Sequence, residues 1–167
     1  DTLWFKTDRN APRGKIITIN LGVESPTWID VIPQQKNILQ SADVVGGKIT
    51  TMWLEDASSK ATVHSLGGKE LYSVEMPGIG TASGFEGDNK DTAVYWSFSS
   101  YNHPPSTYIL DLNSGNTSLF WQAEFPIDLS KMVVQRKFVE SDDGVKVPLF
   151  IVSNNNTKLD GNNPVLL

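Results

Sequence analysis

The sequence predicts an all-β chain made of small antiparallel sheets, and three observations predict it. Nearly every apolar cluster is short, about four to eight residues, and rich in the Val, Ile, Thr, Trp, Tyr and Phe that suit a pleated, half-buried surface. Gly, Pro, Asn, Asp or Ser brackets each cluster, which is the punctuation of turns. No window of about a dozen residues carries a 3.6-residue apolar period, so long amphipathic helices are not expected.

The strands follow in order from that punctuation. Thr2 to Thr7 comes first and is closed by Asp8-Arg9-Asn10. Lys15 to Leu21 runs from Gly14 to Gly22, and Trp28 to Ile32 lies between Pro26 and Pro33. Ile38 to Val45 and Lys48 to Leu54 flank Gly46-Gly47, a pair that accepts the positive φ of a tight hairpin. Ala61 to Ser65 and Glu70 to Val74 flank Gly67-Gly68, and Ile79 to Phe85 follows Pro77-Gly78. Thr92 to Phe98, Thr107 to Leu112 and Ser118 to Trp121 come next, the last two separated by Asn113-Ser114-Gly115. Ile127 to Lys131, with Asp128 as a cap, is expected to make a short helical turn. Met132 to Glu140 and Lys146 to Val152 flank the hairpin turn Asp142-Asp143-Gly144. Asn163 to Leu167 opens like a buried strand and stops without closing turn residues, so it reads as part of something larger.

A repeat runs through this series. Trp4, Trp53 and Trp96 recur at intervals of 49 and 43 residues, each inside an expected strand and each followed by a polar turn and another strand. Asn20-Leu21, Ser65-Leu66 and Asp111-Leu112 end the next strands before glycine-containing turns, and fourth strands then carry Trp28, Leu71-Tyr72 and Leu119-Phe120. Four antiparallel strands per repeat is the blade of a β-propeller, whose sheets bury their faces on one another. The expected organisation is a propeller segment at 1–126, with a partial blade at 1–33 lacking its innermost strand and full blades at 38–75 and 79–122. A boundary between about Glu124 and Lys131 separates it from a non-repeating segment at 127–167. The tryptophans are assigned to packing between blades.

Composition excludes several function classes. With 14 basic and 19 acidic residues the net charge is −5, spread without long like-charge runs, which argues against nucleic acid and anionic membrane surfaces as partners. There is no cysteine, hence no disulfide framework, thiolate nucleophile or Cys-based metal site, and the compartment stays open between cytoplasm and periplasm. No apolar stretch of about 18 residues is present.

No serine has glycine at both positions of a Gly-x-Ser-x-Gly elbow; Ser83 sits between Thr81 and Phe85. His64 falls in a strand and His103 in a loop before Pro104-Pro105, neither with a Ser and Asp partner, and no two histidines stand at ligand spacing. Glu55-Asp56 and Asp142-Asp143 read as solvated turn carboxylates. Gly78-Ile79-Gly80 has no helix behind it to hold an anion and reads as an inter-blade connection. Asn116-Thr117-Ser118 and Asn155-Asn156-Thr157 match the glycosylation pattern and read as loop asparagines. No catalytic, cofactor or metal residue is expected in the chain.

Several stretches taken together resemble the prolyl oligopeptidase family of serine peptidases. They are Val44-Val45-Gly46-Gly47-Lys48, Ser97-Phe98-Ser99-Ser100-Tyr101 with Pro104-Pro105-Ser106-Thr107-Tyr108, Phe138 with Ser141 to Val152, and Lys158-Leu159-Asp160-Gly161 followed by Pro164. The resemblance implies the last blades of a seven-bladed propeller plus the first hairpin of an α/β-hydrolase domain. It implies cleavage of short peptides after proline, with the Ser, His and Asp of the triad lying after this chain. The implied partners are the rest of the peptidase chain, short proline-containing peptides, and copies of the chain meeting through exposed blade faces. A freestanding propeller for protein binding, which would continue the repeat, and a carbohydrate-binding sandwich, which would show coplanar exposed aromatics, are the alternatives.

Overall fold

The computed structural model describes residues 2–158 and 160–166. Asp1, Leu159 and Leu167 lie outside the described residues, and with them the centre of the Lys158-Leu159-Asp160-Gly161 motif and the end of the terminal apolar run. Strands β1 (Thr2–Thr7), β2 (Lys15–Asn20) and β3 (Trp28–Ile32) form a three-stranded sheet in chain order. Strands β4 (Ile38–Val45), β5 (Lys48–Glu55), β6 (Ser58–Ser65) and β7 (Glu70–Val74) form a four-stranded sheet, and β8 (Thr81–Gly84), β9 (Ala93–Ser100), β10 (His103–Asp111) and β11 (Thr117–Gln122) another. A 3-10 turn at Leu129–Lys131, capped by Asp128 accepting from the Ser130 amide, leads into the hairpin β12 (Met132–Glu140) and β13 (Lys146–Asn154). Neighbouring strands are antiparallel in all four sheets, the meander pattern that the repeat predicts.

Several elements depart from the sequence expectation. β6 begins at Ser58, because Asp56 and Ala57 alone make the turn, at φ 47° and 61°. Ser58-Ser59-Lys60 looks like a loop by composition but pairs with Glu55, Leu54 and Trp53. β8 is shorter than expected because Ile79-Gly80 crosses between sheets and Phe85 turns out of the strand at φ 72°. β10 starts at His103, and Pro104-Pro105 occupy a register shift between the pairs His103 with Ser100 and Ser106 with Phe98, where no ladder amide is needed. Asn163 to Leu166 forms no strand; Val165 is 79% exposed and Leu166 98%, with no paired neighbour.

The middle sheet is buried on both faces. Ile49 and Trp53 pack with Ile16 and Ile32 of the first sheet, joined by Leu39 and the half-buried Trp4. Met52, Ala61 and Val63, whose side chains alternate to the other face, pack with Val94, Trp96, Phe98 and Leu110 of the third sheet. Each such large side chain contributes about 1.5–3 kcal/mol on burial. This alternation corrects the tryptophan repeat. Trp53 and Trp96 face the sheet before their own, whereas Trp4 faces the sheet after its own. Phe5, on the opposite face from Trp4, holds the corresponding orientation. A spacing one residue out flips a strand side chain to the other face, and spacing in the sequence does not register that.

Two glycines let the sheets approach. A Cβ on Gly68, at φ 83°, would lie 1.9 Å from the Val31 carbonyl of β3, and one on Gly46, at φ 57°, 2.3 Å from the Asp91 carbonyl. Both positions need a backbone without a side chain.

Candidate functional site

Where the first two sheets meet, a directed chain of hydrogen bonds is sealed in the apolar core. The Gly68 carbonyl can only accept, so His64 donates from Nδ1 to it at 3.3 Å and accepts at Nε2 from the Thr62 hydroxyl at 2.8 Å. Thr51 in turn donates to Thr62 Oγ1 at 2.6 Å, and Trp53 Nε1 donates to both hydroxyls at 2.9 and 3.0 Å. Burial pushes the His64 pKa below its ordinary value, partly offset by the Gly68 carbonyl and Glu70. The ring is held neutral, with both nitrogens engaged by backbone or hydroxyl groups. His64 thus lies in the strand where the sequence puts it, serving the junction.

The second and third sheets join differently. Trp96 is sandwiched between Phe85, 5.2 Å away, and Tyr108, 4.6 Å away, and its Nε1 has no hydrogen-bond partner among the described residues. On one side of this core the Ser59 amide donates to the Gly80 carbonyl and the Ala82 amide donates to Ser59 Oγ, both at 2.9 Å, covering the free edge of β8. On another, the Gly46 amide donates to the Asp88 carbonyl, and Tyr72 donates to the Leu112 carbonyl at 2.9 Å.

His103 is not in a loop, as its proline neighbours suggest, but at the start of β10, its ring edge-on to Phe98. Its Nε2 lies 3.0 Å from the Tyr108 hydroxyl and 3.2 Å from Ser106 Oγ. That pair brings a serine and a histidine together, which the sequence did not announce. Ser106 is only 2% exposed, and its hydroxyl donates to the Pro104 carbonyl while accepting from Gln122 Nε2. No carboxylate is bonded to His103 among the described residues, and desolvation lowers its pKa. The arrangement ties down a bulge and leaves the serine proton pointing at backbone.

The other candidate residues of the sequence are turn and surface groups. Ser83 is exposed on the outer face of the third sheet opposite Ser97. Glu55 accepts from Asn37 Nδ2 at 2.7 Å, and Asp143 accepts from Ser141 and the Val145 amide, which hold its carboxyl below the usual range. Gly78-Ile79-Gly80 connects β7 to β8, as expected.

The first and third sheets each have an open face. On the first sheet Leu3, Phe5 and Trp28 are exposed, with Phe5 and Trp28 edge to face at 5.3 Å beside a 440 Å³ hollow that also includes Arg9 and the Lys15–Asp30 ion pair. On the third sheet Tyr95, Phe120 and Trp121 are exposed. The Tyr95 and Phe120 rings stand at 77° to each other, so they do not form the coplanar platform that stacking on a sugar needs.

The β12–β13 hairpin sits against the ends of the second and third sheets. Arg136 Nη1 donates to the Glu55 and Asp56 carbonyls at 3.3 and 3.1 Å and to Ser58 Oγ at 2.9 Å. Its cross-strand partner Phe150 lines a 350 Å³ crevice with Ala57, Ile79, Gly80 and Tyr101, and Asn102 Nδ2 donates to the Met132 carbonyl at 3.1 Å. Sequence reasoning missed Arg136. The signal was present: it is a charged residue set between the apolar Val134 and Phe138 on one face of β12.

Comparisons with known proteins converge. A family model described as the prolyl oligopeptidase N-terminal β-propeller domain matches residues 1–123. The prolyl endopeptidase of Elizabethkingia miricola is 30% identical over 100% of the chain and 24% of its own length. The dual function macrocyclase-peptidase POPB of Amanita bisporigera is 28% identical over 98% of the chain and 23% of its own. Among solved structures, a prolyl endopeptidase analysed for the role of inter-domain dynamics in catalysis and specificity matches with a TM-score of 0.88 at 31% identity, over 98% of this chain and 24% of that one. Apo prolyl oligopeptidase B of Galerina marginata matches with a TM-score of 0.85 at 26% identity, over 96% and 24%. The chain spans about a quarter of the length of the curated relatives it matches.

Proposed function

Because the chain belongs to the prolyl oligopeptidase family through its β-propeller domain, we propose that it forms the non-catalytic gate of a serine peptidase that cleaves short peptides after proline. The observation that carries this reading is the match of nearly the whole chain to a prolyl endopeptidase over 24% of that enzyme. On this reading the repeating sheets up to Gln122 are propeller blades, Glu124 to Lys131 is the link, and β12 and β13 open the peptidase domain. Support comes from the family match ending at residue 123 and from the change there from stacked meanders to an isolated hairpin.

A gate of this kind works by shape. Sheets locked to each other by buried aromatics and by glycine-tight backbone contacts make a stiff wall, which admits an extended peptide and turns away a folded protein. The triad that attacks the peptide bond lies elsewhere in the intact enzyme, and the histidines here are spent on holding sheets and a bulge together. The open faces of the first and third sheets make a further copy of this chain its partner when the rest of the propeller is missing.

The assay is direct. The 167-residue chain is expected to leave a proline-linked chromogenic peptide intact, while the intact protein hydrolyses it and slows sharply as the substrate grows from a short peptide to a folded domain. Turnover by the chain alone, blocked by a serine-directed phosphonate, refutes the reading.

A further inference from the structure

The hairpin is held by a residue that does not reach for its sequence neighbours. β12 and β13 follow the third sheet in the chain, and Asn102 and Tyr101, in the turn between β9 and β10, meet them locally. Arg136 passes over that sheet to the β5–β6 turn of the second, 78 to 81 residues away. The hairpin therefore straddles the seam between two sheets and touches both.

The seam and the Arg136 contact share adjacent residues. Ser58 accepts from Arg136, and its neighbour Ser59 ties β6 to the Gly80 carbonyl just before β8 and to Ala82 within it. The turn is shaped for the contact: Asp56 and Ala57 both lie at positive φ, and the carbonyls of Glu55 and Asp56 converge on one guanidinium nitrogen. Ser58 also donates to the Glu55 carbonyl at 2.9 Å, which fixes two of the three acceptors relative to each other. Charge-assisted hydrogen bonds of this kind are stronger than neutral ones and depend on direction. Beside them the Phe150 crevice is only partly filled, so apolar packing alone does not set the hairpin's position.

We infer that Arg136 is a positioning residue that staples the β12–β13 hairpin across the seam between the second and third sheets, so that hairpin and seam move together. In the intact protein the staple couples whatever follows β13 to the angle between two blades. That meaning rests on the domain reading above; the staple itself stands on contacts within this chain, and its test does not depend on the peptidase assay.

The test is amide hydrogen exchange on the chain in three variants. Arg136→Met keeps an unbranched apolar stem and removes the donors, and it should speed exchange about tenfold in Glu55 to Ser59 and in Met132 to Asn154, leaving the β9 core unchanged. Arg136→Lys, with three donors on a shorter stem, should restore most of the protection. Ser58→Ala, which removes one acceptor, should move the same amides in the same direction by less, and it decides the matter should Arg136→Met fail to fold. Unchanged exchange in both Arg136→Met and Ser58→Ala, equal effects of Met and Lys, or acceleration spread evenly over all three sheets overturns the staple.

Discussion

Trp53 and Trp96 are 2% and 1% exposed, and their indole nitrogens have opposite fates. Trp53 donates into the Thr51–Thr62–His64 chain, whereas Trp96 Nε1 has no hydrogen-bond partner among the described residues. A buried donor left unsatisfied costs about 1–3 kcal/mol, while a satisfied one contributes about 1 kcal/mol net. Replacement by Phe removes similar ring volume at both sites, so the nitrogen decides the difference. Trp53→Phe is expected to destabilise by about 2 kcal/mol more than Trp96→Phe in urea unfolding. Equal midpoints for the two variants would show that Trp96 finds a partner in solution. The spacing of the two tryptophans makes them look equivalent in the sequence. Only the neighbours brought in by other strands, two threonines on one side and two aromatic faces on the other, separate them.

At the scale of elements, strands bounded by Gly or Pro were legible and the exceptions share a cause. Ser58 to Lys60, Pro104-Pro105 and Phe85 each have local chemistry that argues one way and a tertiary partner that argues the other. Phe85 leaves β8 at positive φ because its carbonyl then accepts from the buried Thr50 hydroxyl at 2.8 Å and its ring stacks on Trp96. Ala57 is the cheaper case to test. It sits exposed in a two-residue hairpin turn at φ 61°, where an L side chain costs about 1–2 kcal/mol and glycine does not. Ala57→Gly also loosens the unfolded chain, at a cost of about 0.5–1 kcal/mol. The balance should stabilise by about 0.5–1 kcal/mol and raise the melting temperature by about 2 °C in calorimetry. A lower melting temperature would mean that Ala57 contributes more to the Phe150 crevice than its exposure suggests.

For the whole molecule the question is what covers the end faces. The first sheet presents Leu3, Phe5 and Trp28, and the third presents Tyr95, Phe120 and Trp121, while the middle sheet shows how such faces are satisfied, by another sheet on each side. The two open faces differ, so a copy docking the first face on the third leaves both free again at the ends. Such head-to-tail contacts produce rings or open-ended chains rather than two-fold dimers. Light scattering on the isolated chain should therefore give a mass that climbs with concentration, and Trp28→Lys should cut the growth severalfold. A constant 18.4 kDa at high concentration would sink the association.

What the sequence by itself determined is the local grammar: strands of period two, turns at glycines, and a repeat of about four strands. Those follow from backbone preferences and alternation, which neighbouring residues carry among themselves. What only the tertiary structure decided is which face each tryptophan takes, which hydroxyls and carbonyls receive the buried donors, and that Arg136 bonds a turn some 80 residues away. Such facts depend on the relative placement of sheets, and a shift of one residue or a few degrees of twist changes them while leaving the strand pattern untouched.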